Sequence, residues 1–339
     1  MFPRLPGSLV DARARARIAA LGARLPPFSA GLFECRLAAG RSDVDFHVFA
    51  ARHRIPLPPA CAENAVWRRL QGLSEEWAVP GSRLWRAVSS LVLEFDVGPG
   101  LDSGAEVPVP NPFFALTREA GRDPAVLLQL LRHQLPSTAL RPLENRFART
   151  IDALPDGAGV THLGVMHSRA TPLVRLVMGE LEPPRLGPFL TAVGWPGDPA
   201  ALEETMRSLA SLVDSVSVAW DLSQESAARL GLECFFNDQP AAEPRWHAFV
   251  RSLVEWSLCD AVKGEALLSW PGVIRRGPNG LPWPRDLAMA DRFMASHARS
   301  LFMCLINHVK LVIDGGEPCE AKAYLLFGHQ WAPPEPARR

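Results

Sequence analysis

The chain has 339 residues, 47% of them hydrophobic, which is ample for a sizeable core, so a folded chain and not a disordered one is expected. Lysine plus arginine and aspartate plus glutamate number 36 each, a balance that offers no electrostatic footprint for nucleic acid or an anionic membrane. No stretch approaches the roughly 18 uncharged apolar residues of a membrane span, no signal-peptide core follows Met1, and the six cysteines show no C-x-x-C spacing, so a reduced, cytoplasmic protein is expected.

In chain order, DARARARIAALGAR (11–24) reads as an amphipathic first helix with Leu9, Ile18, Leu21 and Leu25 on one side. Alternation at a period of two then marks a strand pair, LFECRLA (32–38) and DVDFHVFA (43–50). Residues 62–73 turn helical, with Val66, Leu70 and Leu73 on one face. SLVLEFDVG (90–98) and NPFFALT (111–117) form the second pair. Asp123-Pro124 opens a helix, an acidic cap followed by proline. VTHLGVMHS (160–168) pairs with PLVRLVMGEL (172–181). Asp198-Pro199 opens the next helix, with Leu202, Met206, Leu209 and Leu212 at helical spacing. DSVSVAWDL (214–222) and ARLGLECFFN (228–237) follow. Residues 244–258 carry a stripe of Trp246, Phe249, Val250, Leu253 and Trp256, and 285–304 reads as the last helix. The fifth hairpin is 306–329, turning at Gly315-Gly316, and the Pro-rich tail 332–339 is expected to be flexible.

Consecutive hairpins separated by helices exclude a parallel α/β sheet. About ten strands make a sheet wide enough that closure removes its edges and leaves a lumen able to hold a ligand. The expected fold is α+β: a single domain over 1–339 built as a ten-stranded antiparallel barrel of five repeated α-β-β-α units, helices outside.

Outer helices require apolar residues on the outer strand face and polar ones inside. Val309, Leu311 and Ile313 oppose His308 and Lys310; Ala323, Leu325 and Phe327 oppose Lys322 and Tyr324; Leu93 and Phe95 oppose Glu94 and Asp96. Likewise Arg175, Arg229, Glu233 and Phe235, together with Glu34, Arg36, Asp45 and His47, fall on the inner side. Buried charges must be paired, hydrated or built for a charged ligand. Converging cations would stabilise a leaving diphosphate, and a nearby carboxylate could act as general base. The same pieces suit a pocket that binds a carboxylate, phosphate or peptide, or a scaffold with a closed ionic lumen.

This element order resembles the ABBA, or PT-barrel, family of soluble aromatic prenyltransferases. The local likeness is to dimethylallyl-tryptophan-synthase-type members, whose lumen strands carry Lys or Arg, often with Tyr two residues on. Lys322-Ala323-Tyr324 matches that pattern fully, and Lys310 and Arg175 match its basic member. The resemblance implies prenyl transfer in secondary metabolism from an allylic diphosphate to an aromatic or peptidic acceptor. The diphosphate would be held by Arg175, Lys310, Lys322 and Tyr324, with Arg36 and Arg229 as further lumen cations, and Glu94 matches the acceptor-binding carboxylate. No cofactor is expected beyond Mg2+ accompanying the donor. The alternative is a non-prenylating barrel that binds or modifies a small acidic or peptide ligand. The family shields its allylic cation with several tyrosines; here Tyr324 stands alone, so a lumen sparse in aromatic lining is expected unless Phe113, Phe235, Met166 or tryptophans supply faces.

No P-loop or dinucleotide fingerprint occurs. The histidines never stand at metal-ligand spacing on a helix, so His47, His162 and His308 read as lumen-wall residues, beside Asp45, Asp96, Glu233 and Phe235, with no metal site expected. Loops 97–110 and 273–286 are long enough to serve as lids, and Arg275 and Arg276 read as solvated.

Overall fold

The computed structural model describes residues 5–26, 28, 30–50, 52, 55, 61–98, 101, 107–170, 173–223, 227–276, 283–294 and 298–333. Helix α1 (Ala12–Gly22) precedes β1 (Ala30–Arg36) and β2 (Val44–Ala50); α2 (Ala65–Trp77) and α3 (Arg83–Ala87) precede β3 (Val88–Asp96) and β4 (Asn111–Leu116). Next come α4 (Pro124–Gln134) and α5 (Ser137–Asp152) before β5 (Gly159–Met166) and β6 (Leu173–Gly179), then α6 (Pro183–Val193) and α7 (Pro199–Ala210) before β7 (Ser215–Leu222) and β8 (Arg229–Phe235). Helices α8 (Arg245–Glu255) and α9 (Ala261–Ser269), short strand β9 (Gly272–Arg275) and α10 (Arg285–Phe293) lead to β10 (Arg299–Asp314) and β11 (Glu317–Ala332). The sheet order is β11-β1-β2-β3-β4-β5-β6-β7-β8-β10-β9, and β10 also pairs with β11. All strands but β9 therefore close into a ten-stranded antiparallel barrel, five hairpins each led in by helices. This is the α+β PT barrel.

Helices α4 and α7 begin where an aspartate precedes proline. Asp123 caps α4 by accepting from the Ala125 and Val126 amides, and Asp198 caps α7 through Ala200 and Ala201. At the last hairpin Gly315 and Gly316 have φ of +65° and +126°, the left-handed geometry that a two-residue turn between twisted strands demands. The outer strand faces pack under the helices. Phe33, Phe46 and Phe327 stack with centroids 4.9 to 6.3 Å apart, and Trp270, following α9, meets Phe33 edge-on. The Trp270 indole donates to the Leu305 and Leu326 carbonyls, tying α9 to the closing strands.

Three expectations are corrected. The run 285–304 is not one helix, because 299–304 belong to β10. Its unbroken apolar sequence LFMCLI carries no period that separates helix from strand, and pairing with β9 and β11 on both sides decides it. Strand β9 arises inside the expected loop 273–286. Trp256 follows the end of α8 and is 38% exposed instead of buried. Arg275 and Arg276 are exposed. The remainder of the two candidate lids (99–100, 102–106 and 277–282) and the tail from 334 onward lie outside the described residues. No helix among the described residues is long and apolar enough to cross a membrane.

One polar clamp fixes the first hairpin to the helix layer. Lys263, near the start of α9, is 7% exposed and donates to the carbonyls of Arg36, Ala38 and Arg41. Burial lowers its pKa, with Cys35 and Asp260 opposing. Lys263→Met strips three carbonyls of a charged donor and should cost about 1.5–3 kcal/mol in urea unfolding; an unchanged midpoint would contradict the clamp.

Candidate active site

Two adjoining cavities occupy the lumen. One, of about 230 Å3, lies toward the hairpin turns, where Arg229 pairs across the sheet with Asp314. Arg175, Arg229, Lys310 and Lys322 line it against two carboxylates, Asp221 and Glu320. The other, of about 240 Å3, is lined by Leu32, Phe49, Val92, Phe113, Val177 and Phe235, with His47, Glu94, His162, His308 and Tyr324 among them. Arg175 and Lys310 border both. Glu94, Arg175, Lys310 and Tyr324 thus face one space, as period-two alternation requires of that strand register.

The strands bring opposite charges together by register. Arg175 on β6 lies opposite Asp221 on β7, and its guanidinium grips that carboxylate at 2.6 and 2.8 Å. Lys310 on β10 lies opposite Glu233 on β8, 3.2 Å away. Lys322 bonds Glu34 at 2.9 Å, and Arg36 holds Asp45 at 2.7 Å with Glu34 at 3.6 Å and Glu320 at 4.0 Å. Burial alone would raise Asp221 and Glu233, yet Arg175 and Lys310 respectively hold them below the usual carboxylate range. Burial pushes Lys310 down and Glu233 counters it.

The lumen cations are therefore already ion-paired, not a free surplus. Four cations and two carboxylates line the turn-side cavity itself, and the cations' other partners, Glu233, Glu34 and Asp314, stand just outside that lining.

Glu94 differs. It is 4% exposed, accepts at 3.3 Å from the Asn111 amide and has no Lys or Arg among its ion pairs. Burial, and behind it the charge of Glu34, pushes its pKa up against the pull of His47. Such a carboxyl is poised to take a proton. His47 Nε2 lies 3.5 Å from Glu34 and 4.0 Å from Glu94, too far for a well-formed hydrogen bond to either, yet although burial works against it, the two carboxylates raise its pKa.

Aromatic lining is richer than one tyrosine suggests. The Tyr324 ring stacks on His308 at 4.0 Å, Phe235 follows His308 at 5.0 Å, and Phe49 and Phe113 complete the wall. Burial lowers His308 to about 4, so near pH 7 its ring is neutral and presents a π face. Burial and the charge of Glu34 raise the Tyr324 pKa well above its ordinary value, so it stays a phenol. Met166 is buried but lines neither cavity, and no tryptophan does.

The remaining expected positions spread outward. Arg36 and Asp45 form their own ion pair and border neither cavity. Asp96 meets Arg169 at 3.2 Å at the rim, and the Arg229 side chain is 57% exposed at the mouth, 3.9 Å from Asp314. His162 lines the apolar cavity, with burial lowering its pKa.

Sequence reasoning missed Asp221, Asn111, Glu320 and Gly231. Asp221 did leave a signal, a lone acid in an apolar strand. Gly231 leaves room for Lys310, since a Cβ there would collide with the lysine side chain.

The depressed His308 has a consequence for stability. A histidine whose folded value lies below its ordinary 6.5 binds its proton first in the unfolded chain. Its stabilising contribution is complete above 6.5 and is lost as pH falls toward about 4. Denaturant unfolding at pH 7.5, 6 and 5 should show a progressive fall, and His308→Gln should flatten that part of the curve. An identical slope in the variant would contradict the assignment.

No family model and no curated protein matches the chain. Among solved structures it is similar to AnaPT from Neosartorya fischeri, with 14% identity and a TM-score of 0.47 over 88% of this chain and 77% of that one.

Proposed function

We propose that the barrel transfers an allylic prenyl group from a diphosphate donor to an aromatic or peptidic acceptor inside its lumen. The observation that carries this reading is the division of the lumen into a cation-lined cavity and an aromatic one that meet at Arg175 and Lys310. A donor with a diphosphate head and an apolar tail matches that sequence of environments. The head would sit among Arg175, Arg229, Lys310 and Lys322, where charge developing on the leaving group is stabilised in a water-poor site. The tail would pass into the aromatic cavity, where Phe113, Phe235, Tyr324 and neutral His308 offer faces to an allylic cation. Glu94 would accept the proton that the acceptor loses on substitution.

A second reading is favoured by the ion pairing itself. With Arg175, Lys310, Lys322 and Arg36 each holding a carboxylate, the lumen could bind a small acidic or peptide ligand without ionising a donor. A screen of dimethylallyl, geranyl and farnesyl diphosphates against indole, phenol and peptide acceptors, read by mass spectrometry, separates the two. Prenylated product supports transfer. No product from any donor, with and without Mg2+, hands the site to the binding reading.

A further inference from the structure

The wall formed by β11, β1, β2 and β3 holds a second constellation that prenyl transfer does not use as a unit. His47 on β2 lies directly opposite Glu94 on β3, and Glu34 on β1, whose register partner is Asp45, lies diagonal to His47 on the same inner face. All three are buried, at 4%, 5% and 4% exposure, and one donor atom from each lies within 4.8 Å of the others. Their orientation is specific. Glu34 spends Oε1 on Lys322 and Glu94 spends Oε1 on Asn111, and each turns Oε2 toward His47 Nε2. That nitrogen is buried and makes no hydrogen bond. A buried imidazole nitrogen aimed between two carboxylate oxygens at 3.5 and 4.0 Å, too far for a well-formed hydrogen bond to either, is spaced for a central partner.

We propose that Glu34, His47 and Glu94 form a binding site for a divalent transition metal of the Zn2+ class. Zinc bonds of about 2.0–2.1 Å at tetrahedral angles place neighbouring ligand atoms about 3.4 Å apart, close to the 3.5 and 4.0 Å found here. One imidazole with two carboxylates suits Zn2+, Co2+, Fe2+ or Mn2+ better than Mg2+ or Ca2+, which take all-oxygen sites. Lys322 and Asn111 on the outer oxygens hold the carboxylates in place, as outer partners do at metal centres. Three protein ligands leave a position open, and His47 and Glu94 both border the aromatic cavity. Charge is consistent with this. Arg169 and Arg41 answer Asp96 and Glu320 at the rim, while Arg36 and Lys322 answer Asp45 and Glu34. Glu94 has no Lys or Arg in ion-pair range, only His47 at 4.0 Å, so a divalent ion at this point would supply a cation where the wall has only an imidazole. A metal ion and a transferred proton would compete for the same Glu94 oxygen, so bound Zn2+ should suppress general-base chemistry at Glu94.

The test is binding and does not depend on any catalytic activity. Full-length protein is stripped with a chelator and titrated with Zn2+ by calorimetry and with Co2+ by visible absorption. One equivalent should bind, with d–d bands of a four- or five-coordinate site, and affinity should fall at least tenfold in His47→Ala and in the nearly isosteric Glu94→Gln. Circular dichroism establishes that each variant is folded. No stoichiometric binding by the wild type overturns the proposal and leaves His47 as an imidazolium shared between two carboxylates. Binding that survives unchanged in both variants overturns it equally, because the metal then sits elsewhere.

Discussion

Lys310→Ala should lower stability by about 3–5 kcal/mol, because it leaves Glu233 as an unpaired carboxylate in the barrel interior. Both residues are buried, with side-chain exposures of 8% and 11%, and they meet at 3.2 Å. The attraction offsets much of their desolvation while the pair is intact, so deleting one partner exposes the full cost of the other. The control is the double variant Lys310→Met with Glu233→Gln, which removes both charges and should recover most of the loss. Urea unfolding checks both, and a single variant as stable as the wild type would mean that Glu233 is hydrated or protonated instead of paired.

In the proposed prenyl transfer, Glu94→Gln should cut turnover by at least tenfold while leaving donor binding intact. Glutamine keeps the shape and the bond to Asn111 but cannot accept a proton, and loss of a positioned base costs about 100- to 10,000-fold in general. The signature is a fall in kcat with donor affinity unchanged. Equal turnover in the variant would remove Glu94 from the chemistry. Weakened donor binding in its place would assign it to the diphosphate end, against its place bordering the aromatic cavity.

The architecture was legible because each hairpin wrote its burial into a period of two. Val309, Leu311 and Ile313 against His308 and Lys310 fixed both strand and face, and Asp123-Pro124 and Asp198-Pro199 marked helix starts that the structure shows as capped. The pattern failed where the chain leaves the barrel. In residues 299–306 β10 trades β8 for β9 as its neighbour, and a strand paired on both sides reads as an unpatterned apolar run. The site was legible only by residue type. Cations facing inward were readable from alternation; their partners were not, because Arg175 meets Asp221 and Lys322 meets Glu34 through pairing between strands that are far apart in sequence or not chosen by local signals. Aromatic lining was underestimated for a similar reason. His308 gains an aromatic role only because the fold buries it against Tyr324 and keeps it neutral.

Isothermal titration with dimethylallyl and geranyl thiolodiphosphate, unreactive mimics of the donors, tests the two-part lumen most directly. The wild type should bind one equivalent, and Lys322→Ala should bind more weakly by about 1.5–3 kcal/mol, the range for a hydrogen bond to a charged group, or about 10- to 150-fold. Geranyl should bind more tightly than dimethylallyl, since its longer tail buries more apolar surface in the aromatic cavity. No binding of either mimic by the wild type, or equal affinity in Lys322→Ala and Lys310→Ala, would contradict the reading of the cation-lined cavity as a diphosphate site.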